Sequence, residues 1–255
     1  MAIVNIDGLS VVQPNWLAPK NIKAFTTTRL GGKSTEPFDS FNLGLNVDTD
    51  REATISNREQ LVQALKLPEP PRWVSQTHST IVHDASKIEA ICEADATFTT
   101  ESNQVCAVLT ADCLPILLTN QQGSFVAAIH AGWRGLLNGI LENTLKSSPL
   151  VDETTIAWLA PAISQKAFEV GPEVKEAFLD SDPNYVEHFI PSQREHHFCA
   201  DLYGIARKKL EKFGLAKHQI SGGDYCTYSD TEHFYSYRRD GKDSGRQATL
   251  IWMEG

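Results

Sequence analysis

The sequence lacks a basic N-terminal segment, a hydrophobic run long enough for a membrane span, and any excess of positive charge. Its 255 residues include 23 Lys or Arg and 32 Asp or Glu, which gives a formal net charge of −9. Nucleic-acid backbones and anionic membrane surfaces are bound by clustered Lys and Arg, so we expect neither as a partner. The longest apolar runs, such as residues 105–109, have the length of a strand.

A disulfide framework is also not indicated. The five cysteines are odd in number, and no two of them form a CxxC pair. The sequence begins MAIVNIDGLS, which does not resemble a secretory signal. We therefore expect reduced thiols and a cytoplasmic protein.

Domain organisation and fold class follow from composition and pattern. Hydrophobic residues make up 41% of the chain, enough for a sizeable core, and no low-complexity linker divides it. We therefore expect one domain over residues 1–255, with a monomer as the favoured state. Predicted strands and helices alternate, yet hairpin-like neighbours are frequent. This favours an α+β fold with mixed, largely antiparallel sheets covered by helices, and not a doubly wound parallel sheet.

Several elements are predicted from periodicity and capping signals. Thr49 or Asp50 is suited to cap a helix that ends near Leu65, with Ile55 on its apolar face. The pattern predicts two further amphipathic helices over residues 133–146 and 198–213, and a late strand over residues 234–237.

Three residues that can bind a metal lie beside predicted buried strands. They are His78 after residues 73–77, Cys113 between residues 105–110 and 114–119, and His130 at the end of residues 124–130. Two imidazoles and one thiolate suit zinc, and three protein ligands leave a fourth position open, as in catalytic sites. Taken singly, each residue is more simply a buried structural side chain; their shared position at strand ends favours a common site.

The same residues also fit a second chemistry. Cys113 and His130 are suited to a nucleophile–base dyad in which the histidine lowers the pKa of the thiol. Asp112 is placed to orient a partner, and the alternative is that its side chain, directly before Cys113 in sequence, points away from the site. The residues alone leave open whether the thiolate is a ligand or a nucleophile.

Arginines supply possible anion ligands. Arg29 precedes a Gly-Gly turn, Arg134 lies in the first turn of the helix predicted after His130, and Arg238 and Arg246 lie in the stretch YRRDGKDSGR. Guanidinium groups bind phosphate with two parallel hydrogen bonds. Arg239, in the same stretch, is read as solvated surface charge.

Several longer motifs resemble one family. The strings QTHS, TADCLPILL, AAIHAGWRG, LAPAIS, FEVGPEV and CADLYGIARKKL occur in the order typical of the YfiH-like family, also called laccase-domain or polyphenol-oxidase-like proteins and described as purine nucleoside phosphorylases. The likeness runs from TTRLGG, near residue 26, to the final strand. One departure is Ala160, where the family often has glycine.

The resemblance implies more than the spacing does. It implies a layered α/β/β/α fold, distantly similar to that of a cysteine-hydrolase toxin, and zinc ligands at His78, Cys113 and His130. It implies phosphorolysis of adenosine, inosine, guanosine and methylthioadenosine, with adenosine deamination as a further activity. Copper is less well suited than zinc, because blue-copper sites add an axial methionine and the chain has only Met1 and Met253.

These observations give one main hypothesis and two alternatives. In the main hypothesis zinc, Cys113, Asp112 and Arg29 form the catalytic group, and Asp112 carries a proton during deamination. Substrate is held by four residues: Arg29, Asn42, Arg238 and Arg246. The first alternative is a Cys113–His130 amidohydrolase that removes misincorporated serine from peptidoglycan precursors. The second is a non-catalytic metal- or nucleotide-binding protein.

Overall fold

The structure, a computed structural model, describes residues 2–47, 50–148 and 150–255. Its strands are β1 (Ala2–Ile6), β2 (Leu9–Gln13), β3 (Ile22–Thr27), β4 (Val82–Asp84), β5 (Ala96–Thr99), β6 (Cys106–Thr110), β7 (Leu114–Asn120), β8 (Val126–Ala131), β9 (Thr155–Leu159), β10 (Glu169–Val170), β11 (Phe189–Pro191), β12 (Phe198–Ala200), β13 (Ile220–Gly222) and β14 (Gln247–Met253). Its helices are α1 (Arg51–Ala64), α2 (Trp133–Asn138), α3 (Ile140–Ser147), α4 (Pro172–Ser181), α5 (Leu202–Lys212) and α6 (Tyr237–Asp240).

Two large sheets form the centre of the molecule. The first has the order β1-β2-β3-β14-β6 and is antiparallel throughout. The second has the order β13-β9-β7-β8-β5-β4, with parallel pairs only at its two edges. The prediction of mixed, largely antiparallel sheets is confirmed.

Buried side chains define four layers. Val108 and Ile251 of the first sheet pack with Leu117 and Trp158 of the second, so the two sheets face each other across an apolar core. On the outer face of the first sheet, α1 packs through Leu61. Helices α2, α3, α4 and α5 cover the outer face of the second sheet. The layers are therefore α/β/β/α, as the resemblance implied, and no helix of the described ranges is long and apolar enough to cross a bilayer.

Helix α1 matches its prediction at both ends but not on its apolar face. The side chain of Asp50 accepts a hydrogen bond from the Ala53 backbone N–H and caps the helix, while Thr49 lies outside the described residues. Ile55, expected on the buried side, is 45% exposed. Its place is taken by Thr54 and Asn57, which are buried and polar.

Two elements predicted beside the candidate metal ligands are wrong. Residues 133–146 do not form one helix, because Gly139 adopts φ 98° and separates α2 from α3. Residues 73–77 do not form a strand and make only an isolated bridge at Ser75. The side chain of Gln76 instead bonds both the N–H and the C=O of Leu109, replacing the backbone pairing that a strand would provide.

Two later predictions also need correction. The helix expected over residues 198–213 begins only at Leu202, because Asp201 caps it through the Gly204 N–H and the preceding residues pair as β12. Residues 234–237 are not a strand. There Ser236 accepts a hydrogen bond from the Arg239 N–H and starts α6.

Candidate metal centre

The structure brings His78, Cys113 and His130 together. One ligand atom from each residue lies within 4.8 Å of the other two. The Nε2 atom of His78 is 3.6 Å from the Sγ atom of Cys113. Zinc bonds of about 2.0–2.3 Å in a tetrahedron place ligand atoms about 3.3–3.8 Å apart, so the separation of this pair fits such an ion.

Each ligand is placed by a different local structure. His130 is the last residue but one of β8 and pairs with Pro115 on β7. Cys113 lies in the short connection from β6 to β7. His78 has φ 62°, a left-handed conformation that is uncommon outside glycine and turns its side chain toward the other two ligands.

The residue that holds this arrangement is Asp95, which the sequence did not reveal. Its carboxylate is fully buried and accepts a hydrogen bond of 2.7 Å from Nδ1 of His130. It also accepts bonds from the backbone N–H groups of Thr77, His78 and Ser79, and from the Ser79 hydroxyl. One side chain therefore fixes the loop that carries His78 and leaves Nε2 of His130 to face the site.

The pKa values follow from these contacts. Burial alone would raise the pKa of the Asp95 carboxyl, but hydrogen bonds from His130 and Ser79 outweigh it and hold that pKa below its ordinary value. Burial would likewise raise the pKa of the Cys113 thiol, yet the imidazoles of His130 and His78 lower it to about 6. Burial opposes the charged form of His130, but the Cys113 thiolate and Asp95 raise its pKa to about 9. The charge of the site thus favours a thiolate, the form of cysteine that binds metals.

Gly132 lies directly against the site, which leaves no space for a side chain at this position. A Cβ atom built at this position would lie 2.9 Å from Cδ2 of His78 and 3.1 Å from Sγ of Cys113. Both contacts are tighter than normal packing allows, and one of the two ligands would have to move. Glycine is therefore required here by space and not by backbone conformation.

We expect Gly132→Ala to lower metal affinity about tenfold or more, the effect seen when the surroundings of ligands are disturbed. The matched control is Gly135→Ala in α2, the helix that Gly132 precedes. A Cβ there would lie 3.1 Å from a methyl group of Ile140 and 3.5 Å from the His130 carbonyl oxygen, an ordinary contact that leaves the ligand side chains untouched. Metal affinity measured by competition with a chromogenic chelator tests this. Equal affinities in the two variants would show that Gly132 does not shape the site.

A cavity of about 700 Å³ opens over the three ligands. Its wall contains aromatic side chains and five arginines, namely Trp73, Trp133, Phe168, Tyr237, Arg51, Arg58, Arg134, Arg238 and Arg246. This volume lies within the range of about 300–1,000 Å³ that is usual for small-molecule sites. Of the sequence-predicted substrate ligands, Arg238 and Arg246 line the cavity.

Arg29 and Asn42 are not brought to the cavity wall. The guanidinium of Arg29 bonds the Asp39 backbone carbonyl and carboxylate, and its Cζ lies 5.0 Å from the centre of the Tyr235 ring. Asn42 is fully buried, and its side-chain oxygen accepts the N–H groups of Gly44 and Arg246. Asn42 thus positions the backbone of Arg246 and does not itself line the cavity.

Asp112 is engaged on both oxygens. It accepts hydrogen bonds from the hydroxyls of Thr227 and Ser236, at 2.6 and 2.9 Å, and from the N–H of Arg238 at 2.6 Å. It also adopts φ 89° immediately before Cys113. These contacts join the Cys113 loop to the segment that carries Arg238 into the cavity, and the proton-transfer role of Asp112 stays a prediction.

Comparisons with known proteins identify the family to which the chain is similar. The family described as multi-copper polyphenol oxidoreductase laccase matches residues 23–254. A Haemophilus influenzae protein named purine nucleoside phosphorylase is 47% identical over 96% of this chain and 100% of its own length. Escherichia coli purine nucleoside phosphorylase YfiH is 43% identical over 95% of this chain and 98% of its own.

Solved structures share the fold. A Neisseria meningitidis protein superposes with a TM-score of 0.91 and 41% identity, covering 96% of this chain and 99% of that one. YlmD from Geobacillus stearothermophilus gives a TM-score of 0.85 with 26% identity, covering 92% and 93%.

Proposed function

This chain belongs to the YfiH family of laccase-domain proteins, and from that membership we propose that it is a zinc-dependent purine nucleoside phosphorylase. Its substrates are adenosine, inosine, guanosine and methylthioadenosine, together with phosphate. The observation that carries the proposal is that the three-residue donor set opens into the same cavity that several arginines line. A nucleoside and an anion can therefore meet beside the metal.

The donor set favours zinc over copper. Two imidazole nitrogens and one thiolate form a common set of zinc ligands, whereas a blue-copper site adds an axial methionine. Met253 is 2% exposed and lies in the core between the two sheets, and Met1 lies outside the described residues. A bound zinc supplies Lewis-acid stabilisation of negative charge as the glycosidic bond breaks.

Two arginines near the ligands are suited to hold phosphate. Nη1 of Arg246 donates to the carbonyls of Ser244 and Gly245, which fixes the side chain in the cavity wall, and these bonds leave Nε and Nη2 unused. Nη1 of Arg238 donates to the Glu169 carbonyl. A phosphate bound by these two guanidinium groups would approach the ribose in a fixed orientation. We therefore propose Arg246 and Arg238 as the phosphate ligands in place of Arg29.

The aromatic side chains of the wall are suited to the purine. Trp133, Phe168 and Tyr237 line the cavity, and Tyr237 is 56% exposed at its rim. Stacking of a base on an aromatic ring contributes about 1–3 kcal/mol and tolerates different bases. This tolerance agrees with a substrate range that includes several purine nucleosides.

The test is direct. The zinc-loaded protein, incubated with inosine and phosphate, is expected to release hypoxanthine and ribose 1-phosphate in equal amounts, and neither without phosphate. Removing the metal with a chelator should stop the reaction. Adenosine without phosphate should yield inosine if deamination belongs to the same site. Base release that does not depend on phosphate would contradict the proposal.

One observation favours a second function. Cys113, His130 and Asp95 stand in the order of a nucleophile, a base and an orienting carboxylate. This arrangement suits an amidohydrolase that acts on a peptidoglycan precursor bearing a misincorporated serine. Iodoacetamide discriminates the two functions: a metal-free protein that hydrolyses the precursor and loses activity on alkylation of Cys113 favours the dyad. A non-catalytic metal- or nucleotide-binding protein would be stabilised by ligand without any turnover.

We also propose that the protein acts as a monomer in the cytoplasm. The three potential metal ligands lie together within a single chain, so one copy can provide the donor set. A thiolate ligand must stay reduced, which suits a reducing compartment.

A further inference from the structure

The positive charge of the cavity exceeds what a single phosphate requires. Within the described ranges, none of the five cavity arginines pairs with a carboxylate, whereas Arg29, Arg72 and Arg239 each have an acidic partner. The described wall contains one carboxylate, Asp112, and its oxygens are already engaged. In a chain of net charge −9, such a concentration of unpaired guanidinium groups points to anionic ligands.

The arginines fall into groups by the elements that carry them. Arg238 and Arg246 belong to the segment linked to Cys113 through Asp112. Arg51 and Arg58 belong to α1, seven residues apart and therefore on the same face of the helix. The second pair is thus built on a different element from the first.

The α1 pair is held in place without an anion. Nε and Nη2 of Arg58 both donate to the Leu43 carbonyl, at 2.9 and 2.7 Å. Its Cζ lies 4.2 Å from the centre of the Trp73 ring, which fixes the plane of the guanidinium. Nη1 of Arg51 donates to the Leu45 carbonyl at 3.2 Å. Each guanidinium keeps at least one N–H edge that these bonds do not use.

The two charges are also close enough to disfavour each other. Burial lowers the pKa of Arg58, and the charge of Arg51 lowers it further, to about 10. Among the described residues of the cavity wall no acid lies beside these two like charges, and an anion bound near them would stabilise both.

We propose that Arg51 and Arg58 form a second phosphate-binding subsite, separate from the Arg238–Arg246 pair beside the metal. The ligand class is a phosphate dianion, either inorganic phosphate or the 5′-phosphate of a nucleoside monophosphate. The nucleotide form rests on the proposed function, because it assumes that the nucleoside lies in this cavity. The cavity, at about 700 Å³, is large enough for a nucleotide.

Equilibrium binding to the zinc-loaded protein tests the subsite. Affinities for inorganic phosphate, AMP and adenosine are measured by calorimetry for the unaltered protein, Arg51→Gln and Arg58→Lys. Arg194→Gln is the matched control, because it removes the same charge from an exposed position outside the cavity wall. Arg51 is exposed at the first residue of α1, so its replacement should leave folding intact, as circular dichroism can verify. Arg58→Lys keeps the positive charge but removes the planar guanidinium group and its paired N–H donors.

A charge-assisted hydrogen bond contributes about 1.5–3 kcal/mol, so Arg51→Gln should weaken phosphate-bearing ligands about 10- to 100-fold and leave adenosine unchanged. If AMP binds more weakly and inorganic phosphate does not, the subsite is assigned to a 5′-phosphate. If inorganic phosphate binds more weakly, the subsite is assigned to the free ion. Affinities for both that equal those of the Arg194→Gln control would overturn the proposal. Because binding is measured without turnover, an unaltered protein with no phosphorolysis would defeat the proposed function and leave the subsite standing.

Discussion

Replacing Cys113 with alanine is expected to reduce bound zinc from one ion per chain to almost none and to lower kcat/KM for inosine phosphorolysis about a thousandfold or more. The physical reason is the loss of the one sulfur atom in the donor set found among the described residues, which leaves two imidazoles that cannot hold the ion alone. Stabilisation of several kcal/mol that a bound metal supplies would disappear, and each 1.36 kcal/mol corresponds to a factor of about ten.

The control is Cys92→Ala, since Cys92 is also a half-buried free thiol but does not line the cavity. That variant should retain both zinc and activity. Zinc is measured by atomic emission on the purified proteins, and activity by the release of hypoxanthine. A zinc-free Cys113→Ala protein with full phosphorolysis would show that the reaction does not use this site.

The second large effect is expected at Asp95. Asp95→Asn replaces one oxygen with an NH₂ group, although five donors from Thr77, His78, Ser79 and His130 converge on this carboxylate. At least two donors would lose their acceptor, at a cost of about 1–3 kcal/mol each. We therefore expect a lower melting temperature and a decrease in zinc affinity of about 10- to 100-fold.

The matched control for this prediction is Asp84→Asn. Asp84 also accepts hydrogen bonds, from the N–H and hydroxyl groups of Ser86, and it forms an ion pair with Lys87. Both partners lie in its own turn. Its replacement should change stability slightly and zinc affinity not at all. Thermal unfolding with and without chelator separates the two effects: if Asp95→Asn unfolds earlier yet binds zinc normally, the carboxylate serves the fold and not the metal.

The structure brings together the three residues that the sequence predicted as ligands, and buried strands adjoin Cys113 and His130. Cys113 and His130 flank β7 and β8, whose pairing brings Leu114 opposite Ala131 and so places both ligands at one edge of the sheet. His78 lies beside the other two residues although the strand predicted before it is absent. Asp95 escaped detection because its role depends on a loop of three N–H groups that are distant in sequence. The one available signal was a charged residue directly before the largely buried strand β5.

The predictions about arginines were only partly right, because the surroundings of each arginine again depend on residues that are distant in sequence. The segment that carries Arg238 and Arg246 lines the cavity, while Arg29, beside a similar glycine turn, bonds Asp39 instead. No periodicity distinguishes the two environments, because each depends on which distant loop packs against the arginine. The α/β/β/α layering was implied by family motifs more than by hydrophobic pattern. That residues 1–255 form one domain stays a prediction.

The central claim is that the metal held by His78, Cys113 and His130 supports phosphorolysis. The most direct test removes the metal from the purified protein with a chelator, dialyses the chelator away, and adds zinc back in steps while hypoxanthine and ribose 1-phosphate are measured. The account predicts that activity disappears and then returns in proportion to zinc, reaching its maximum at one ion per chain. Activity that persists in the metal-free protein, or that fails to return with zinc although the protein is folded, would contradict it.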